Sequence, residues 1–210
     1  MLSDAKPAYE VVTLVELGFD VARHPAINRL TGSGKMFAVG DNRALITQRN
    51  GLGHIRGYAG IRLAEATAKE WRASSPEQLQ QILQDAFAGW APMLREVVET
   101  GDVIGVRPLY ALPIGHQWKS RVGLTLLGDA AHLMSPFSGE GVNLALADAV
   151  DLAEALTSDG GWTSVTRYEE AISARAGTAA EGAAQGLNGA FSSKGVAPIL
   201  EHYHARVRGA

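Results

Sequence analysis

Apolar and polar positions divide the chain into a sheet-forming front and a helical back. Val11-Val12-Thr13-Leu14-Val15 and the runs 35–39, 44–48 and 54–59 are short and rich in β-formers. Turn-forming clusters separate them: Gly32-Ser33-Gly34, Gly40-Asp41-Asn42 and Asn50-Gly51. This spacing predicts an antiparallel meander. Ser74-Ser75-Pro76-Glu77 predicts a capping box with an early proline, opening a helix that carries Leu79, Ile82, Leu83, Ala86 and Phe87 on one face. Residues 92–99 predict another short helix and 102–112 a strand ending at Pro113. The nearly all-apolar run 121–127 predicts a strand buried on both faces.

From Glu140 onward the period changes. Val142, Leu146, Ala149, Ala153 and Leu156 recur at spacings of four and three, with Asp148, Asp151 and Glu154 off that stripe, so the pattern predicts an amphipathic helix ended by Gly160-Gly161. Helices over 163–184 and 196–208 are expected to follow, with loose packing in the Ala- and Gly-rich stretch 176–189. The fold class this implies is α+β: a mostly antiparallel sheet with helices over 1–120, a strand and helix over 121–160, and C-terminal helices over 161–210.

With 210 residues, 46% of them hydrophobic and 20% charged, the chain can bury a core, which excludes a disordered tail. A formal charge of -3, with acids and bases intermixed, offers no basic field for nucleic acid. The absence of cysteine removes disulfides, thiolate nucleophiles and iron–sulfur clusters, so redox chemistry here would need an organic cofactor. No secretory signal pattern opens the sequence and no apolar run approaches membrane-spanning length, so a cytoplasmic protein without membrane contact is expected.

The richest chemistry lies in Gly128-Asp129-Ala130-Ala131-His132, followed by Pro136-Phe137-Ser138-Gly139-Glu140-Gly141-Val142-Asn143. An aspartate delivered at the end of an apolar segment can accept hydrogen bonds from ligand hydroxyls. A glycine-flanked turn opening a helix offers unpaired amides and the positive end of a helix dipole. Gly139 and Gly141 would let a flat ring lie against the backbone. Asp129, His132 and Glu140 do not have metal-ligand spacing, and His202 and His204 flanking Tyr203 read as surface residues. Ser138 is not in a G-x-S-x-G elbow, which disfavours a serine hydrolase. Trp71, Trp90, Trp118 and Trp162 read as core or interface anchors.

This segment resembles the second flavin-binding motif of the class A flavoprotein monooxygenases, the para-hydroxybenzoate hydroxylase group. The resemblance implies that Gly128 and Asp129 hold the ribityl or phosphate part of FAD and that Pro136 lies beside the isoalloxazine ring. Gly139, Glu140, Gly141, Val142 and Asn143 would then serve the ring's pyrimidine edge. Gly34-Lys35-Met36-Phe37-Ala38 and Trp118-Lys119-Ser120 look similar to the tetracycline-inactivating branch. That likeness implies a substrate wall of Lys35, Phe37, Ile46 and Phe137, with a lysine where the branch has an arginine. The implied chemistry is hydroxylation of an aromatic or polyketide substrate with FAD, NADPH and dioxygen, the cofactor carrying the hard step and no catalytic triad needed.

The sequence departs from the family in lacking the G-x-G-x-x-G turn and the later Asp-Gly pair of the dinucleotide-binding half. The resemblance therefore implies a substrate-domain sheet followed by the last strand and helices of an FAD-binding domain. Such a chain could be a gene fragment, a truncated frame or half of a split enzyme that needs an N-terminal partner chain or self-association. It could also be a non-catalytic remnant or small-molecule-binding subunit.

Overall fold

A computed structural model of the protein describes residues 2–197, 200, 201 and 204. The chain forms two compact units: Val11–Leu109 with Gly189–Ala210, and Met1–Glu10 with Tyr110–Asn188. The predicted helix over 196–208 lies for the most part outside the described residues, as do His202 and Tyr203.

The first of these units is built on a five-stranded sheet. Strands β1 (Ala8–Asp20), β2 (Lys35–Gly40), β3 (Arg43–Arg49), β4 (His54–Arg62) and β5 (Asp102–Ala111) lie in the order β2-β3-β4-β1-β5. The β2-β3-β4 meander is antiparallel, and β4 pairs antiparallel with β1. Alternate residues therefore point to opposite faces. Val15, Leu17, Phe19, Leu45, Ile55 and Ala59 face a core closed by helices α1 (Pro25–Thr31), α2 (Glu65–Ala73), α3 (Pro76–Ala86) and α4 (Pro92–Thr100). Leu83, Phe87, Val97 and Ile27 are fully buried there, each contributing about 1.5–3 kcal/mol of transfer free energy.

The capping box forms as expected: Ser75 Oγ accepts from Gln78 N at 3.3 Å, and the Gln78 side chain accepts from Ser75 N at 2.9 Å. Helices α1 and α2 lack so clear a sequence signal. Each is at most nine residues long and fixed by two buried side chains, Ile27 with Thr31 and Ala68 with Trp71.

The other unit holds α5 (Asp129–His132), a single 3-10 turn (Pro136–Ser138), α6 (Gly141–Thr157) and α7 (Trp162–Ala190). Its apolar centre joins Ala131, Val165, Tyr168 and Ile172, with Trp118 and Trp162 packed on it. Three expectations are corrected here. The run 121–127 is not a strand: it has only an isolated bridge, Arg121 to Leu124, and Val122 is 78% exposed. Its composition suits a ladder, but a ladder needs a neighbour, and among the described residues none lies alongside.

Helix α6 is also turned over. The stripe residues Val142, Leu146 and Leu156 are exposed, whereas Leu144 and Asp148, four residues apart, are its buried positions. The reason is polar: the Asp148 carboxylate collects donors from three other segments, and that network fixes the helix rotation. Finally, the Ala- and Gly-rich stretch is not loose, because it continues α7 to Ala190 and buries Ala176, Ala179, Ala183 and Leu187. A Cβ on Gly186 would lie 2.7 Å from the Phe137 carbonyl oxygen, so small residues permit close approach at that point.

Candidate functional site

Gly128 is buried in a left-handed turn, φ 57°, a conformation that favours glycine. A Cβ there would also come within 3.2 Å of the Ala145 Cβ on α6. The Gly128 amide donates to Asp148 Oδ2 at 3.0 Å, and His132 Nε2 lies 2.6 Å from the same oxygen. Arg175 on α7 donates to Asp148 Oδ1 at 2.8 Å and pairs with Asp151 at 2.8 Å. One fully buried carboxylate thus ties the Gly128-Asp129 turn to α5, α6 and α7. Burial pushes the Asp148 carboxyl up, but hydrogen bonds from His132, Gly128 and Arg175 outweigh it and hold the group below the usual carboxylate range.

This anchoring presents Asp129 outward. It opens α5 rather than ending a strand, is exposed, and makes no hydrogen bond or ion pair with another described residue. Pro136 begins the 3-10 turn, Phe137 is half-buried, and the turn closes on Gly139 in the left-handed region, φ 72°, with Gly139 N donating to Pro136 O at 3.1 Å. Glu140 caps α6 through its backbone without a side-chain bond, and Leu144 N is the first helical amide to find a partner, at Glu140 O, 2.9 Å. The amides of Gly141, Val142 and Asn143 have no partner among the described residues, as expected for the first turn of a helix. Nothing lies within 4 Å of where a Cβ would sit on Gly139 or Gly141. A planar, acceptor-bearing group fits here: open backbone, free donors, a helix dipole of the right sign and a free carboxylate one short helix away.

The FAD binding domain family matches residues 43–182 of this chain. The chain belongs to that family. Monooxygenase asqM from Emericella nidulans is 32% identical over 190 residues, covering 72% of this chain and 43% of that protein. Klebsiella pneumoniae HpxO, solved with FAD and uric acid, superposes with a TM-score of 0.75 at 19% identity, over 98% of this chain and 51% of that one. The tetracycline destructase Tet(51) superposes at 0.62 and 16% identity, over 98% of this chain and 52% of that one. This chain spans about half the length of these relatives. It shares the fold of class A flavoprotein monooxygenases, and the sequence resemblance to that group holds.

The remaining expected site residues divide between the units. Lys35, Phe37 and Ile46 share one face of the sheet, with Phe37 directly opposite Ile46 and Lys35 opposite Gln48. Phe137 belongs to the other unit. Sequence reasoning did not single out the anchoring role of Asp148. The signal that could have found it is an acid amid the apolar residues of an early helical turn, with a histidine and an arginine available to pair with it. No helix of the described residues is long and apolar enough to cross a membrane.

Proposed function

We propose that this chain forms the ring-supporting part of an FAD-dependent monooxygenase that hydroxylates an aromatic or polyketide substrate in the cytoplasm, with NADPH as electron donor. The observation that carries this reading is the set of unpaired amides at Gly141, Val142 and Asn143 beside the open glycines, within the segment matched by the FAD-binding-domain family. When bound, the flavin supplies the electron transfer and dioxygen activation that side chains cannot. The chain's own groups bind and orient. Asp129 accepts from ribityl hydroxyls, Pro136 and Phe137 border the ring, and Glu140 ends the turn so that the α6 amides meet the ring's acceptor edge. Gly128 keeps that turn close to α6. Lys35, Phe37 and Ile46 line the substrate side and limit water. Tetracyclines belong in the substrate screen as flat polyketides.

The reading includes a dinucleotide-binding half, supplied by further chain or by a separate polypeptide. Val122, Leu124 and Leu127 are exposed and unpaired, and the exposed α6 stripe is in the same unit. An apolar strand with a free edge and an apolar helix face suit a parallel sheet, which is covered on both sides. The greater length of the relatives supports the same view.

The test is an FAD titration of the purified chain, alone and mixed with the separately expressed N-terminal half of asqM, with NADPH oxidation followed in each sample. Saturable binding is expected, weakened about tenfold or more by Asp129→Ala. Unchanged affinity in the variant removes Asp129 from the site, and no flavin binding in either sample overturns the reading.

A further inference from the structure

The sheet face turned away from helices α1–α4 carries a charged cluster that the flavin reading does not use. Glu16 lies on the central strand β1 with its side chain 10% exposed. Its two oxygens are taken by different arginines: Arg56 Nη1 donates to Oε1 at 2.6 Å, while Arg107 Nε and Nη2 lie 2.9 and 2.8 Å from Oε2. One arginine would neutralise the acid. The second leaves a net positive charge, and Arg56 Nε and Nη2 and Arg107 Nη1 have no partner among the described residues.

Strand register sets this charge beside an apolar platform. Phe37 is opposite Ile46, Ile46 opposite Tyr58, and Tyr58 opposite Glu16, so one row crosses four strands. At about 4.8 Å per strand this row is roughly 14 Å long, enough for a fused aromatic ring system. The next row on the same face runs Lys35, Gln48, Arg56 and Gly18, a polar edge with two cations and no acid. The face is bounded at both ends. Phe191 and Leu14 occupy the space over Gly60, where a Cβ would lie 2.6 Å from the Phe191 ring, and Ile104 covers Gly18.

We infer that this face binds an aromatic carboxylate, its ring over Phe37, Ile46 and Tyr58 and its acid group on the spare donors of Arg56 and Arg107, with Lys35 adding charge at the outer end. The planar guanidinium forks suit a carboxylate in both geometry and charge. Glu16 is a positioning residue, holding the two arginines side by side where they would otherwise repel. Naming the ligand as the substrate rests on the monooxygenase reading; its binding does not.

The purified chain is titrated with 2-naphthoate and, separately, with neutral 2-naphthamide, following naphthyl fluorescence. The acid is expected to bind at least about tenfold more tightly than the amide. Arg107→Gln removes that preference and leaves amide binding unchanged, whereas Tyr58→Ala weakens both ligands. If Arg107→Gln does not fold, the exposed Lys35→Gln serves instead, with about a threefold loss for the acid alone. Equal binding of acid and amide, a preference untouched by these variants, or no saturation into the millimolar range by folded protein overturns the site. FAD titration of the same samples separates the two readings: flavin affinity is expected to be alike in wild type and Arg107→Gln. Failure to bind flavin with naphthoate binding intact overturns only the monooxygenase reading.

Discussion

Asp148 Oδ2 lies 3.0 Å from the Gly128 amide nitrogen, twenty residues earlier in the chain, and accepts its proton. That bond connects a helix rotation to a loop conformation. Removing the carboxylate orphans the Gly128 amide and His132 Nε2 and leaves Arg175 with only Asp151. Asp148→Ala is therefore expected to destabilise the protein by about 2–4 kcal/mol in urea unfolding. Flavin affinity is expected to fall with it, because the Gly128-Asp129 turn loses its anchor. A loss under about 0.5 kcal/mol would show that the network does not hold the turn.

The same carboxylate gives a pH dependence of definite sign. Asp148 titrates below the usual range in the folded protein because its hydrogen bonds outweigh its burial, whereas the unfolded chain returns it to about 3.9. Its contribution is complete above the unfolded value and disappears as pH falls through the folded one. Thermal midpoints recorded between about pH 5 and 3 should fall more steeply for wild type than for Asp148→Asn, and parallel curves would contradict the assignment.

Tyr168 provides the alkaline counterpart. Burial, followed by the Asp148 charge, pushes its hydroxyl up, and that hydroxyl donates to the Leu126 carbonyl at 3.0 Å. A group raised in the folded state stabilises below its unfolded value and loses that contribution as pH rises through its folded value. Tyr168→Phe should therefore lower stability at neutral pH by about 1 kcal/mol and flatten the decline above about pH 10. Ultraviolet difference spectra should show one tyrosine of wild type titrating late.

Two glycines of α7 provide a matched pair. Gly186 sits against the Phe137 backbone, whereas nothing lies within 4 Å of a Cβ on Gly182. Gly186→Ala is expected to destabilise by about 1–3 kcal/mol through overpacking and to weaken flavin binding by shifting the Pro136–Ser138 turn. Gly182→Ala should stabilise by up to about 1 kcal/mol from helix propensity. Equal effects in denaturant titrations would rule out the close contact.

The outward stripe of α6 predicts tolerance. Leu146→Glu and Leu156→Lys, at positions 63% and 60% exposed, should change unfolding free energy by no more than about 0.5 kcal/mol. Both should reduce self-association in sedimentation velocity, since they break an exposed apolar face. A loss above about 2 kcal/mol would mean the stripe is buried within the folded chain.

The sequence by itself determined the features that depend on neighbours in the chain. The meander was legible in the period of two and the turn clusters, α3 in its Ser75–Gln78 box, and the ligand-facing loop in the order Gly128, Asp129, Pro136, Gly139, Gly141. Short helices α1 and α2 were not, because two buried contacts each, rather than propensity, hold them. Only tertiary structure decided what depends on distant partners. Residues 121–127 have the composition of a strand, but no neighbour pairs with them. Helix α6 has an apolar stripe, yet it turns Asp148 inward because Gly128, His132 and Arg175 bring it donors from outside the helix. Glu16 reads as a polar residue of a β-strand until β4 and β5 bring Arg56 and Arg107 to it. Periodicity records which face of an element is apolar. Which face is buried depends on what the rest of the fold brings to it, and a buried carboxylate with four donors can outweigh a stripe of exposed methyl groups.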